Sequence, residues 1–191
     1  MISQVIDFVA EQYHQKTRQT GEPALQHPLR VMKRLQELDL PQRTLIVALL
    51  HDVCEDSGIC YESIINDFGY EIGMMVYFLS KKDNSCFSKT PEGKMLRLKH
   101  YLKKIDFARK HYPEVLLVKM SDQIDNLSTL EAFSHEKQKE QLDEVKEHFL
   151  PIYDHAKLDI PHHLKEVFHE LYKELEEVLL MGFKKLELNN N

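Results

Sequence analysis

Apolar residues recur at intervals of three and four along most of the chain, which is the spacing of one face of an α-helix. The first such stretch predicts a helix near the N-terminus, with apolar positions at Ile2, Val5, Ile6, Val9 and Tyr13. A second helix is predicted to begin near Pro28, where proline suits a first turn, and to end at Leu40, before Pro41. The pattern therefore indicates amphipathic helices.

Two further stretches are apolar on every side, which is typical of a fully buried helix. One covers residues 45–50 and runs directly into His51 and Asp52, in a helix predicted to stop at Ser57-Gly58. The other has apolar residues at 115–118 and 120 and leads into Asp122. Burying a charge is costly unless it is paired or bound to a metal, so the ionisable groups of both stretches require partners.

The remainder of the chain is also predicted to be helical. Helices are expected over 61–68, 71–80, 95–110, 137–153 and 161–186, with one more starting at Pro113. The polar stretch 81–93 is predicted to be a loop, long enough to act as a lid. We predict a single all-α domain over residues 1–188, followed by a disordered tail at 189–191.

Composition and charge exclude several classes of protein. The 191 residues include only 6 Gly and 7 Pro, which argues against the many tight turns of a β-sandwich or barrel. A formal net charge of −6 argues against nucleic acid as a partner. No apolar run predicts a membrane span, and the first ten residues lack the basic start of a signal peptide. Three cysteines without a Cys-x-x-Cys pair favour a reducing compartment, and we predict a cytoplasmic location.

The adjacent residues His51 and Asp52 are the first candidates for chemistry. A histidine nitrogen beside a carboxylate oxygen suits a divalent cation such as manganese, iron or zinc. Asp122, after the second buried stretch, is a natural third ligand, and His27, before Pro28, could be a fourth. Helical domains build interior metal sites from separate helices in this way. For the dipeptide alone, the alternative is a helix-end histidine next to a solvated acid.

Two more acids follow this pair at helical spacing. Glu55 lies four residues after His51 and Asp56 lies four residues after Asp52, so a continuous helix would place each on the face of its partner. A general acid/base or a water-orienting group is needed beside a hydrolytic metal. We therefore expect Glu55 and Asp56 to be catalytic.

Four stretches together resemble the HD superfamily of metal-dependent phosphohydrolases, and more narrowly the hydrolase domain of RelA/SpoT-type enzymes. They are HQKTRQTGEPALQHP at 14–28, ALLHDVCED at 48–56, FGYE at 68–71 and VKMSDQIDNLSTL at 118–130. The family patterns are H-x-G-Q-x-R-K-x-G-E-P-Y-x-x-H-P for the first and V-K-L-A-D-R-L-x-N-x-R-T-L for the last. A lone His-Asp pair is weak evidence, whereas four motifs in order and at family spacing are specific.

The resemblance implies an HD-type helical bundle with an interior metal site. It also implies hydrolysis of the 3′-pyrophosphate of (p)ppGpp to GDP or GTP and pyrophosphate by metal-activated water, usually with manganese. The implied metal ligands are His27, His51, Asp52 and Asp122. Glu55 and Asp56 would activate or position the water. The residues that would bind the guanine nucleotide are Arg18, Asn126 and Thr129.

Four positions depart from the family pattern. Gln19 stands in place of Lys, Ala24 in place of Tyr, and Gln123 and Ser128 in place of Arg. Because fewer cations weaken the binding of a highly anionic nucleotide, two alternatives stay open. One is hydrolysis of another nucleotide, and the other is a non-catalytic domain that senses a nucleotide. The apolar residues of the last predicted helix also leave a homo-oligomer open.

Overall fold

α-Helices make up nearly all of the regular structure in the computed structural model, which describes residues 2–81 and 86–188. Their bounds are α1 Ile2–Gln12, α2 Gln26–Glu37, α3 Gln42–Leu50, α4 Val53–Ser57, α5 Tyr61–Phe68, α6 Tyr70–Leu79, α7 Pro91–His111, α8 Glu114–Ser128, α9 His135–Glu144, α10 Leu150–Asp159 and α11 Lys165–Leu188. The prediction of an all-α fold is confirmed. The predicted tail at 189–191 and residues 82–85 of the predicted loop lie outside the described residues.

The two stretches that are apolar on every side form the centre of the core. Residues 44–50 of α3 are all buried, and so are the apolar residues 115–118 and 120 of α8. α8 packs against α2, α3, α7 and α11, while α3 packs against α1, α2 and α6. Because both helices are central, the ionisable residues that they carry lie inside the protein: His51 and Asp122 are each 2% exposed.

The third predicted helix is interrupted at the two residues of greatest chemical interest. α3 ends at Leu50, His51 and Asp52 form a turn, and α4 begins at Val53. The prediction of one helix running through to Ser57-Gly58 is therefore wrong at this point, although the predicted stop holds. Adjacent residues of a helix diverge by about 100°. The turn instead brings His51 Nε2 within 3.1 Å of Asp52 Oδ2.

Other helices also differ in extent from the prediction. α7 begins at Pro91 rather than at residue 95, so residues 91–93 of the predicted loop are helical. α2 begins at Gln26 rather than near Pro28, which places His27 within its first turn. Residues 135–159 form one continuous helical run, longer than the predicted 137–153, in which a π turn at Val145–Phe149 joins α9 to α10. Pro151 lies in the first turn of α10 and cannot donate a helical hydrogen bond, so the wider turn occurs where one such bond is missing.

Two expectations from the sequence concern membranes and self-association. Within the described ranges, no helix is both long and apolar enough to cross a bilayer. On α11, Leu175 and Leu179 are buried in the core, whereas Leu180 and Met181 are 55% and 54% exposed. The apolar face of the last helix therefore serves mainly the core, and self-association stays a prediction.

The contact between α5 and α6 gives a stability test. A Cβ at Gly73 would lie 2.3 Å from Ile65 Cγ1 and 3.0 Å from the Ile65 backbone. We expect Gly73→Ala to lower the free energy of unfolding by about 1–3 kcal/mol, because this backbone cannot move aside. At Gly182 the nearest atom is the flexible Leu142 Cδ2, at 2.6 Å, so Gly182→Ala is the matched control. Urea unfolding checks both, and equal stabilities of the two variants would contradict this account of the packing.

Candidate metal centre

The structure brings all four predicted metal ligands together. Each of His27, His51, Asp52 and Asp122 offers one ligand atom, and these four atoms lie within 4.8 Å of one another. The two Nε2 atoms are 3.2 Å apart. Asp122 Oδ1 lies 3.1 Å from His27 Nε2, and Asp52 Oδ2 lies 3.1 Å from His51 Nε2. We refer to these four residues as the His/Asp cluster.

Three parts of the fold supply the His/Asp cluster. His27 comes from the first turn of α2, Asp122 from α8, and His51 with Asp52 from the turn between α3 and α4. The side chains of the two histidines and Asp122 are 2–6% exposed, whereas that of Asp52 is 33% exposed. The His/Asp cluster is therefore closed towards the core and open beside Asp52.

Hydrogen bonds on the outer side of each imidazole fix which nitrogen faces the cluster. His51 Nδ1 lies 2.7 Å from the backbone oxygen of Ala48, and His27 Nδ1 lies 2.7 Å from Asp125 Oδ2. Both oxygens are acceptors, so both Nδ1 atoms carry the proton. In a neutral imidazole the Nε2 lone pair then faces the cluster, which is the form that binds a metal.

The charges of the His/Asp cluster favour a positive charge at its centre. Burial opposes protonation of His27, but its hydrogen bonds with Asp122, Asp125 and Asp52 raise the pKa of this imidazole to about 9. The pKa of His51 is likewise raised above its usual value, against the effect of burial, by Asp52 and Asp122. Two nitrogen and two carboxylate donors that attract positive charge fit a divalent cation of the manganese, iron or zinc type.

Asp122 is held by two further side chains: Lys119, which the sequence analysis did not assign, and Asn126, which it predicted to bind the nucleotide. Lys119 donates to Asp122 Oδ2 at 2.6 Å, and Asn126 Nδ2 donates to Asp122 Oδ1 at 2.6 Å. Burial raises the pKa of a carboxyl group, but here the charge of Lys119 and bonds from the two histidines hold the pKa of Asp122 well below its usual range. The spacing of Lys119 and Asp122 on one helix is the signal that could have identified this lysine.

The two predicted catalytic acids lie on α4 beside the His/Asp cluster. Glu55 Oε1 accepts a hydrogen bond from the backbone N–H of Lys81 at 2.7 Å, and Asp56 Oδ2 accepts one from the Tyr13 hydroxyl at 3.1 Å. Burial and then the negative charge of Asp52 raise the pKa of both carboxyl groups. A raised carboxyl pKa suits a group that exchanges protons near neutral pH. Tyr13 is a site residue that the sequence analysis placed only on the apolar face of the first predicted helix, and it lies just after the end of α1.

Two clefts reach the His/Asp cluster. The first, of about 500 Å³, is called here the loop cleft and includes Tyr13, Lys16, Arg18, Gln19, Asp52 and Asp56 in its lining. The second, of about 320 Å³, is called the lysine cleft and includes Lys81, Lys119, Asp122, Gln123, Asn126 and Lys137 in its lining. Each cleft therefore contains at least one carboxylate of the cluster together with basic side chains.

The predicted nucleotide-binding residues are placed differently from one another. Arg18 lines the loop cleft and donates to Asn126 Oδ1 at 2.5 Å and to Asp125 Oδ2 at 3.3 Å. Asn126 lines the lysine cleft and so connects Arg18 with Asp122. The Thr129 hydroxyl bonds to the carbonyls of Asp125 and Asn126, and Thr129 lines neither cleft. The structure thus joins Arg18 and Asn126 to the site, and the role of Thr129 stays a prediction.

The positions that depart from the family pattern now have a structural context. Gln19 and Ala24 line the loop cleft. Gln123 is buried, and its Oε1 accepts a hydrogen bond from the Tyr153 hydroxyl at 2.7 Å. Ser128 is exposed and donates to the carbonyl of Ile124 on its own helix. The clefts therefore have a polar, uncharged side chain at Gln19 and at Gln123, where the family has cations.

Comparison with known proteins identifies a family and a fold that this chain shares. The family model of the HD domain matches residues 6–157. A solved structure of a metazoan ortholog of SpoT, described as hydrolysing ppGpp and playing a role in starvation responses, superposes with a TM-score of 0.65. It covers 90% of this chain and 93% of the other at 20% sequence identity, which shows a shared fold.

Several relatives are similar in sequence over most of this chain. Identity is 34% to the guanosine-3′,5′-bis(diphosphate) 3′-pyrophosphohydrolase of Aquifex aeolicus, covering 79% of this chain and 21% of that protein. It is 34% to a probable GTP pyrophosphokinase of Mycobacterium leprae, covering 75% and 18%. It is 31% to the bifunctional (p)ppGpp synthase/hydrolase SpoT of Escherichia coli, covering 86% and 22%. The chain thus spans about a fifth of the length of these relatives.

Thermal unfolding tests whether the cluster binds a metal ion. We expect Mn²⁺ to raise the unfolding temperature, because a ligand specific to the folded state stabilises it by about 2.7 kcal/mol at about 100 times its Kd. Asp52→Asn should remove most of this increase, since it deletes one charged donor. Asp143→Asn, which alters a surface ion pair with Lys139 on α9, is the control and should respond like the unchanged protein. An equal increase in all three proteins, measured by scanning fluorimetry, would place the Mn²⁺ elsewhere.

Proposed function

Since the chain belongs to the HD domain family, we propose that it is a metal-dependent phosphohydrolase that acts on (p)ppGpp. The reaction removes the 3′-pyrophosphate and yields GDP or GTP and pyrophosphate. The observation that carries the proposal is the His/Asp cluster, which adjoins two clefts and lies beside two acids of raised pKa. The names of the similar proteins from Aquifex aeolicus and Escherichia coli support this nucleotide as the substrate.

The His/Asp cluster is the proposed site of a divalent cation. His27, His51, Asp52 and Asp122 would hold it, through the nitrogen and oxygen atoms that already face one another. The chemistry that such an ion supplies when bound is acidification of water and polarisation of phosphoryl oxygens. Manganese is the proposed ion, as the family resemblance implies, and the same mixture of donors accepts iron and zinc.

Glu55 and Asp56 manage the protons in the proposed reaction. The oxygen of a water molecule forms a bond to the 3′ phosphorus, and the bond between that phosphorus and the ribose 3′ oxygen breaks. A proton leaves the water and a proton is needed on the departing 3′ oxygen. The backbone N–H of Lys81 fixes Glu55. The raised pKa of the Glu55 carboxyl group allows Glu55 to accept the proton that leaves the water. Asp56, fixed by the Tyr13 hydroxyl, orients the water or supplies the second proton.

The nucleotide is proposed to bind across the two clefts. Arg18 lies where a planar guanidinium can stack on a base at the wall of the loop cleft, and Asn126 and Thr129 are the proposed contacts to the sugar or the 5′ side. Lys81, Lys119 and Lys137 give the lysine cleft positive charge for phosphate groups. These lysines supply part of the positive charge that the family pattern has at positions 19 and 123, where this chain has glutamine.

We also propose a cytoplasmic location, which rests on the number and spacing of the cysteines in the sequence. The three cysteines, Cys54, Cys60 and Cys86, are all free thiols in the structure. A small-molecule guanine nucleotide is the proposed partner, and a second copy of the chain stays an open expectation.

Turnover of purified, manganese-loaded protein tests the function directly. We expect ppGpp to give GDP and pyrophosphate in equal amounts, measured by ion-exchange chromatography and a pyrophosphate assay. Asp52→Asn should lack this activity, because the variant loses a charged metal donor. GTP, GDP and deoxynucleoside triphosphates, assayed in parallel, distinguish the alternatives. Cleavage of one of these without cleavage of ppGpp would overturn the substrate, and nucleotide binding without any turnover would favour the sensor.

A matched pair of variants tests the proton-transfer role of Glu55. We expect Glu55→Gln to lower kcat by about 10²–10⁴-fold, the usual contribution of a general acid/base, with little change in Mn²⁺ affinity. Glu62→Gln changes an exposed acid on the neighbouring helix α5 and should leave kcat unchanged. A Glu55→Gln protein with the kcat of the unchanged protein would assign the proton to another group.

A further inference from the structure

Asp125 lies against the imidazole of His27 on the edge away from the His/Asp cluster. Its Oδ2 is 2.7 Å from His27 Nδ1, while His27 Nε2 faces Asp122 and His51. Asp125 is 4% exposed, so its carboxylate is almost fully withdrawn from water. A buried charge in this position needs fixed partners, and the neighbouring residues supply them.

Both oxygens of Asp125 are occupied by basic side chains as well as by His27. Arg30 Nε donates to Oδ1 at 2.6 Å, and a second nitrogen of the same guanidinium, NH2, donates to Oδ2 at 3.0 Å. Arg18 NH1 adds a contact to Oδ2 at 3.3 Å. Every one of these contacts comes from an N–H donor, so the carboxylate is fixed in orientation as an acceptor.

Arg30 is itself fixed from the other edge of its guanidinium. NH1 and NH2 each donate to one oxygen of Glu22, both at 2.7 Å. Arg30 lies three residues after His27 on α2, so the two side chains share a face of that helix. Glu22 belongs to the segment between α1 and α2. The contacts thus form a continuous chain from Glu22 through Arg30 and Asp125 to His27.

We propose that Asp125 is the positioning residue for the metal ligand His27. It holds the proton on Nδ1 and thereby keeps the Nε2 lone pair directed at the cation, while Arg30 and Glu22 hold Asp125 itself. A carboxylate that accepts the outer N–H of a ligating histidine fixes the ring and increases its basicity. The inference rests on the proposed metal site, but it does not depend on which nucleotide is hydrolysed.

The same carboxylate also connects the metal site with the loop cleft. Arg18 divides its guanidinium between Asp125 and Asn126, and Asn126 in turn donates to Asp122. A change at Asp125 would therefore disturb Arg18 as well as His27. Metal affinity must consequently be measured without nucleotide, so that an effect on His27 is separated from an effect on substrate binding.

The test is the Mn²⁺ affinity of Asp125→Asn, measured by titration with electron paramagnetic resonance of free Mn²⁺. Asparagine has nearly the same shape but no negative charge, and when its oxygen faces His27 its amide N–H opposes the Arg30 Nε donor. An amide N–H directed at Nδ1 would move the imidazole proton to Nε2 and block the ligand atom. We expect the Kd for Mn²⁺ to rise by about 10–100-fold, the usual cost of losing such a partner.

Two further variants separate positioning from a general structural role. Asp125→Glu keeps the charge and should restore part of the affinity that Asp125→Asn loses. Arg30→Gln alters a side chain that is 37% exposed, so the protein should fold, and we expect a smaller rise in Kd than for Asp125→Asn. Asp143→Asn on the surface of α9 is the control for removal of an acid. Circular dichroism verifies the fold of every variant.

Nitrogen NMR of the zinc-loaded protein gives a second readout that a structural salt bridge would not alter. We expect the unchanged protein to show a proton on His27 Nδ1 and a zinc-shifted Nε2, and Asp125→Asn to lose this pattern. A folded Asp125→Asn protein with unaltered Mn²⁺ affinity would overturn the positioning role alone. An unchanged protein that binds no divalent cation would overturn both the metal site and this inference. Failure to hydrolyse ppGpp with normal Mn²⁺ affinities would overturn only the substrate.

Discussion

The cost of burying charge governs the centre of this protein. Two imidazoles and two carboxylates direct their polar atoms at one point, and three of the four residues are almost wholly removed from water. Such a group is stable only when positive charge lies among the carboxylates, either as protons on the histidines or as a cation. The raised pKa values of His27 and His51 show that the carboxylates favour protons on the two histidines. A bound divalent ion would take the place of those protons.

Each inner ligand has an outer partner that limits its movement. Asp125 holds His27, the Ala48 carbonyl holds His51, and Lys119 together with Asn126 holds Asp122. Asp52 differs, because its side chain is one-third exposed at the loop cleft. A site with three firmly held ligands and one at the solvent edge has a direction from which substrate and water can approach.

The sequence was informative where the chemistry depends on local pattern. Apolar stretches that end in acids predicted both the buried helices and the metal ligands, since only special sites place ionisable groups there. The break at 51–52 was not predicted, because the apolar pattern continues into a helix without any glycine or proline. Asp125 also escaped notice, because its partners His27 and Arg30 lie far away in the sequence and meet it only through the packing of α2 against α8. Tyr13 was predicted only as an apolar position of the first helix, and its hydroxyl bond to Asp56 likewise depends on tertiary contact.

The charge balance around the clefts would link the proposed metal binding to the proposed nucleotide binding. The basic groups nearest the cluster are already engaged: Arg18 with Asp125, and Lys119 with Asp122. Asp52 and Asp56 place carboxyl groups in the lining of the loop cleft, where the proposed nucleotide would bring its phosphate groups. A multiply charged nucleotide would therefore be repelled by the site without a metal ion. A divalent cation would neutralise the charges of Asp52 and Asp122, so Lys119 would no longer be needed to balance Asp122. The uncharged Gln19 and Gln123 make this dependence stronger, since fewer cations of the protein itself offset the acids. Under the proposed function, the divalent ion would be part of the binding site for phosphate as well as of the reaction.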